Sequence, residues 1–247
     1  VVPSSLLPHE ILQVQLCRVI ALVKLRLFKQ ASDEFESLGN LDDRTHYYNI
    51  YPERYPNTKG SMVPFSLRVI QAELPSLAGN IALSIDLLFN LLHQVEEEIS
   101  RLQHESKELG EEAPGLSPSD VDRFFVDTTT LSCLQPAGPF LAFSEVGSSF
   151  PTHSPPTIST WLVRRTRLSF SIASRLVQCR DYTLALSLLL SIAATHPKDA
   201  LLWSTIGRLY LQMGNLKACQ ECFSRAEKLS PHPSTLVLMN RGQLLMA

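Results

Sequence analysis

Pro197 and Pro231 stand 34 residues apart, and the same interval separates Ala185 from Cys219, Leu189 from Phe223 and Ile192 from Ala226. Each pair matches in kind: proline with proline, small with small, large apolar with large apolar. A period of this length in small, large and proline positions marks a stacked pair of antiparallel helices. One such pair cannot bury its apolar face alone, so a chain built this way folds by sharing a continuous core between neighbours.

The later unit is nearly complete. Trp203, Ile206, Gly207 and Tyr210 share a first helix, and Cys219, Phe223, Ala226 and Pro231 mark the second helix and its end. This is the W-x2-L-G-x2-Y, A-x3-F, P order of the tetratricopeptide (TPR) repeat, with Cys219 in place of the first alanine. Gly207 and Cys219 are expected to be small because the helices cross most closely there. Trp203, Tyr210 and Phe223 are expected to fill the space between hairpins, and Pro231 to stop the second helix. The unit before it keeps Ala173, Leu176, Ala185, Leu189, Ile192 and Pro197, with Ser169 where the aromatic would stand. The predicted fold class is an all-α, TPR-like superhelix, a solenoid of helical hairpins carrying one long irregular insertion.

The chain divides accordingly. Residues 1–40 read as a degenerate hairpin, with Ile11, Val14, Ile20, Val23 and Leu27 on one stripe and Ala31, Phe35 and Leu38 on the next. Residues 41–61 form a loop with Tyr47, Tyr48, Tyr51 and Tyr55, in which Pro52 and Pro56 block helix. Those tyrosines either tuck against their own repeat or meet a partner. Residues 62–112 form a hairpin whose long second helix opens at Gly79-Asn80 and buries Leu83, Leu87, Leu88, Leu91, Leu92, Val95 and Ile99. Its far end is charged, with Glu96, Glu97, Glu98, Arg101, Glu105, Lys107 and Glu108, which suits a solvated overhang or a coiled-coil arm. Residues 113–158 are rich in Pro and Ser and are expected to be a disordered insertion. Residues 159–247 hold the periodic repeats, the last one cut short: Leu238, Gly242 and Leu245 resemble a first helix without its mate. The chain accordingly reads as a fragment.

Several functions have nothing to rest on. A formal charge of −2 creates no whole-chain field for nucleic acid or anionic lipid. The cluster Arg164, Arg165 and Arg167 is too small to track phosphates. No stretch offers about 20 uninterrupted apolar residues, and the start Val1-Val2-Pro3 lacks the marks of a signal peptide. Five scattered cysteines, Cys17, Cys133, Cys179, Cys219 and Cys222, suggest buried thiols in a reducing compartment. Cys219 and Cys222 form the single C-x-x-C, and with no second pair or neighbouring histidine it reads as structural packing. The seven histidines show no metal spacing, and no nucleotide-binding or nucleophile motif occurs. No enzyme activity, metal or cofactor is expected.

A TPR array does offer a concave face from recurring positions on each first helix. With Trp203 as the fourth position of its repeat, these are Leu201, Ser204, Arg208, Leu211 and Gln212, preceded by Arg167, Phe170, Ser174, Val177 and Gln178. This mixture suits an extended peptide or a helix of a partner; neighbouring segments of the same polypeptide could equally fill it. Phe170 and Ser174 replace the Lys and Asn by which some TPR proteins clamp a chaperone's carboxylate tail, which argues against that ligand.

The run from Gly60 to Leu74, containing Met62-Val63-Pro64-Phe65-Ser66-Leu67-Arg68 and followed by Gly79-Asn80, resembles the subunit-12 family of the trafficking protein particle (TRAPP) complex. The resemblance spans residues 20–110 and 158–247. It continues through Trp161 with Arg164 and Leu168, Asp181-Tyr182 with Ala185, Ile206 to Leu209, Gln212 to Asn215 and Leu238 to Asn240; the insertion departs from the family pattern. It implies a non-catalytic TPR scaffold subunit of a vesicle tether that activates a Rab GTPase in ER-to-Golgi transport and autophagy, exchange activity residing in the small core subunits. It implies other TRAPP subunits as partners, the large peripheral ones among them. It also implies a cytoplasmic location, with membrane attachment at the ER–Golgi intermediate compartment and Golgi only through the complex. Met62 to Arg68 would be a structural or subunit-contact signature. The alternative is an independent TPR peptide-binding adaptor or co-chaperone.

Overall fold

A computed structural model describes residues 7–56, 60–108, 157–230 and 234–246. The described residues are all-α: nine helices, two 3-10 turns at Arg44–His46 and Tyr48–Ile50, and no strand. They fall into two compact units that part after Leu162. The first holds α1 (Pro8–Lys24), α2 (Phe28–Leu38), α3 (Phe65–Leu77), α4 (Ile81–Glu108) and the start of α5 (Ile158–Gln178). The second holds the rest of α5, α6 (Tyr182–Thr195), α7 (Ala200–Gln212), α8 (Leu216–Leu229) and α9 (Thr235–Leu245). Pro231, Cys133 and the expected insertion, up to residue 156, lie outside the described residues.

Four tight turns set the register. Arg26, Gly79, Arg180 and Gly214 each adopt left-handed backbone, with φ of 59°, 97°, 62° and 77°. In every case the next residue's N–H reaches five residues back: Leu27 to Leu22, Asn80 to Pro75, Asp181 to Leu176 and Asn215 to Tyr210, at 2.8–2.9 Å. This is the Schellman closure of a helix, repeated at four hairpins. Asn80, Asp181 and Asn215 then cap the second helix by accepting from the N–H three residues on, each at 3.2 Å. Four residues past the cap position stand Ala31, Ser84, Ala185 and Cys219, each with no exposed surface. Four further on are the buried Phe35, Leu88, Leu189 and Phe223. The small-then-large spacing read from the later repeats therefore recurs in both earlier hairpins.

The first unit differs from expectation in its first and fourth helices. In α1 the buried stripe is Leu12, Leu16, Val19, Ile20 and Val23, while Val14 and Leu27 are 48% and 40% exposed. Apolar residues on both sides of α1 made two stripes equally legible, and packing against α2 selects one. In α4 Leu83 is 45% exposed and Ser84 takes the interior place, its hydroxyl donating to the Ala72 carbonyl at 2.7 Å. Leu88, Leu91, Leu92, Val95 and Ile99 are buried as read, and Leu87 is half-buried. Past Ile99, Arg101 bridges Glu98 and Glu105 at 2.6 and 2.8 Å in the open, which fits a solvated overhang.

In the second unit α7 and α8 approach most closely. Leu168, Ile172, Ala173, Leu176, Ala185, Leu189 and Ile192 supply the core of the preceding hairpin, and Leu202, Ile206, Leu209, Phe223 and Ala226 that of the next. Ser169 is buried and returns its hydroxyl to the Arg165 carbonyl at 3.0 Å. α9 packs on α8 and α7 through Val237 and Asn240. Its expected stripe is open instead: Leu238 and Leu245 are 65% and 88% exposed, and a Cβ on Gly242 would meet nothing within 4 Å. Among the described residues no following helix lies against that side. Cys219 and Cys222 are buried, whereas Cys17 and Cys179 are exposed, so the expectation of buried thiols fails for those two. Both stand at the solvent side of a first helix or its final turn, where the repeat makes no size demand.

Candidate protein-binding face

The first helix of the complete hairpin is fixed at both ends and at its crossing. Asp199 caps α7 by accepting from the Leu201 N–H at 2.9 Å. The Trp203 indole N–H donates to the Pro197 carbonyl at 3.0 Å, tying this helix to the end of the preceding repeat. The Arg225 guanidinium covers the Trp203 ring at 3.9 Å from its centroid. At the crossing, a Cβ on Gly207 would lie 2.5 Å from two ring carbons of Phe223 and 3.3 Å from the Cys222 Cβ. Glycine there is a steric requirement.

The ten expected face residues separate into three kinds. Arg167, Phe170, Ser174 and Val177 on α5, and Leu201, Arg208 and Leu211 on α7, are half-buried, while Gln178 and Gln212 are exposed. Ser204 is fully buried, its hydroxyl donating at 2.7 Å to Asn240 Oδ1. At that position a neighbouring helix of the same chain, α9, occupies the face, and no outside ligand reaches it. Arg208 donates from Nη2 to Thr205 Oγ1 at 3.2 Å. Burial lowers its pKa, and no carboxylate offsets the effect. Burial likewise raises Asp199, against the two backbone N–H groups that favour its ionised form, and lowers His196 despite the Asp199 charge beside it.

Nearby groups offer little chemistry. Burial raises the Cys219 thiol, and burial with the neighbouring Cys219 and Glu221 pushes Cys222 up to about 11, so both stay protonated at neutral pH. Among the described residues no three His, Cys, Asp or Glu side chains are grouped to hold a metal ion. Among them, too, no helix is long and apolar enough to cross a membrane.

The signature stretch in the first unit is an internal brace. Met62, Val63 and Leu67 are buried. Tyr47 and Ser61 form an isolated antiparallel bridge, flanked by Tyr48 N–H to Gly60 O at 3.0 Å and Met62 N–H to His46 O at 2.7 Å. Arg68 gathers the two ends of the loop, donating to Asp42 at 2.5 Å, the Leu41 carbonyl at 3.3 Å and Ser61 Oγ at 3.4 Å. The loop tyrosines differ in depth: Tyr47, Tyr48 and Tyr51 are half-buried. Tyr55 is buried, its hydroxyl 2.6 Å from His9 Nδ1, and the rings of His9 and Tyr48 meet it edge-on. The signal for this brace was the arginine following an apolar run; its carboxylate partner across the loop could not be read from spacing.

Fold and face together define an all-α protein of repeated helical hairpins, with a mixed apolar and cationic surface along the first helices of its second unit. No family model matches the chain. Among curated proteins it is 32% identical over 241 residues to mouse trafficking protein particle complex subunit 12, and 32% identical over 239 residues to the human protein of that name. The matches take in 95% and 94% of this chain but 26% and 28% of the relatives. The chain is thus a relative of TRAPP complex subunit 12 along nearly its whole length, and spans about a quarter of the length of the proteins it matches.

Proposed function

We propose that the chain is a TPR-type, non-catalytic scaffold region that binds partner subunits of a TRAPP-type vesicle-tethering and Rab guanine-nucleotide-exchange complex. On this reading it works in ER-to-Golgi transport and autophagy and reaches Golgi membranes only through the complex. The observation that carries the reading is the match to subunit 12 over 95% of the chain. The hairpins support it physically: they hold first-helix faces open, apolar enough to bury and polar enough to select. The division into an N-terminal hairpin, a braced aromatic loop, a long-armed hairpin, an insertion and terminal repeats belongs to the same proposal.

Affinity purification of the tagged chain from cells, with quantitative mass spectrometry, tests it. Recovery of TRAPP subunits in fixed ratio to the bait is the expected result. Recovery only of chaperones, or of many substoichiometric partners, would favour an independent peptide-binding adaptor and overturn the scaffold reading.

A further inference from the structure

The near-neutral chain hides an uneven division. Residues 163–247 hold eleven Lys or Arg against four Asp or Glu, a formal +7, while residues 1–162 hold eleven against twenty, a formal −9. The few acids of the second unit are largely committed. Asp181 and Asp199 cap α6 and α7, and Glu227 pairs with Arg241. Four acids cannot balance eleven cations within this unit.

One of those cations is built into the face. Arg208 is half-buried, its Nε is buried without an acceptor, and among the described residues no carboxylate pairs with it. Taking a guanidinium out of water without a counter-charge is unfavourable, so packing alone gives no reason to keep one there. At 100° per residue, Arg208 shares its side of α7 with Leu201, Leu211 and Gln212, as Arg167 shares its side of α5 with Phe170 and Val177. Cations thus alternate with apolar side chains.

We propose that this face of the second unit docks an acidic, partly apolar segment of a partner polypeptide, whose carboxylates meet Arg208. The proposal rests on the reading that the face meets another protein, and adds the chemistry of what it meets. Nucleic acid or an anionic membrane fits less well: phosphates call for projecting cations along an open stripe, whereas Arg208 is sunk among apolar side chains.

Fluorescence anisotropy with the intact chain tests it, using a labelled peptide that alternates Glu and Leu and a counterpart with Gln for every Glu. The Glu peptide should bind at least about tenfold more tightly, and Arg208→Gln should remove about tenfold of that affinity. Arg208→Lys should lose less. Equal affinity for both peptides, or Glu-peptide binding unchanged in Arg208→Gln, overturns the proposal. So does tighter binding of a single-stranded oligonucleotide or of phosphatidylserine vesicles. Such a failure would leave recovery of the chain with TRAPP subunits standing, since that can run through the first unit.

Discussion

The crossing at Gly207 gives the sharpest test of the hairpin geometry. A single methyl group there would sit 2.5 Å from Phe223 Cδ1 and Cε1, against the 3.5–4.0 Å at which carbons attract. The ring cannot swing aside into solvent, because Phe223 is 4% exposed in the core. Overpacking of this kind costs about 1–3 kcal/mol, and an overlap of about 1 Å belongs at the upper end. Against it stands a gain of about 1 kcal/mol in helix propensity for Ala over Gly. Gly207→Ala should therefore destabilise the second unit by about 2 kcal/mol, opposite in sign to the propensity effect alone.

The preceding hairpin shows how the clash is avoided elsewhere. One period earlier, Ala173 stands at the crossing with Leu189 in the place of Phe223, and both are buried. Phe223→Leu should cost about 1 kcal/mol alone, and the double variant should fall short of the summed losses by about 1–2 kcal/mol, since the methyl enters space the ring has vacated. Urea unfolding followed by Trp203 fluorescence, in a Trp161→Phe background, reads α7 directly. A neutral or stabilising Gly207→Ala, or strict additivity in the double variant, would refute the register.

Three further expectations concern the brace, the thiols and pH. Arg68→Met should free the 41–61 loop; with Asp42 half exposed the loss is about 1 kcal/mol, and trypsin should cut faster after Arg54. Cys17 and Cys179 should be alkylated in the native protein and Cys219 and Cys222 only on unfolding, since both are buried and Cys222 titrates at about 11; peptide mapping after iodoacetamide reads the order. His196 has a folded pKa below its ordinary 6.5, chiefly from burial. Its contribution is therefore intact above 6.5 and is lost as pH falls from there toward the folded value, where the unfolded chain takes up the proton first. His196→Gln should flatten the melting temperature across that window; an unchanged slope would exclude the histidine as its source.

What the sequence revealed about the fold follows from where sterics leave no choice. Gly207, Cys219, Ala185 and Phe223 were legible because a helix crossing restricts size directly, and the restriction repeats every 34 residues. The register of the first two hairpins was harder to see. The first helix of the first hairpin carries no aromatic companion for Ala31, that of the second has only Phe65 at its first residue, and the turn signal Arg26-Leu27 offers neither glycine nor a capping side chain. Only the hydrogen bond from Leu27 back to Leu22 reveals it.

The binding face was half legible for a related reason. Helical period placed Leu201, Ser204, Arg208 and Leu211 on one side of α7, but period cannot say which turn of that side a later helix will cover. The serine hydroxyl and the Asn240 Oδ1 decide it: two buried polar atoms 36 residues apart, each costly to leave unpaired, meet at 2.7 Å. With α9 held over Ser204, its neighbours one turn to either side remain half-buried. One of them, Arg208, lacks any carboxylate among the described residues, which is why its missing partner is sought in a second polypeptide.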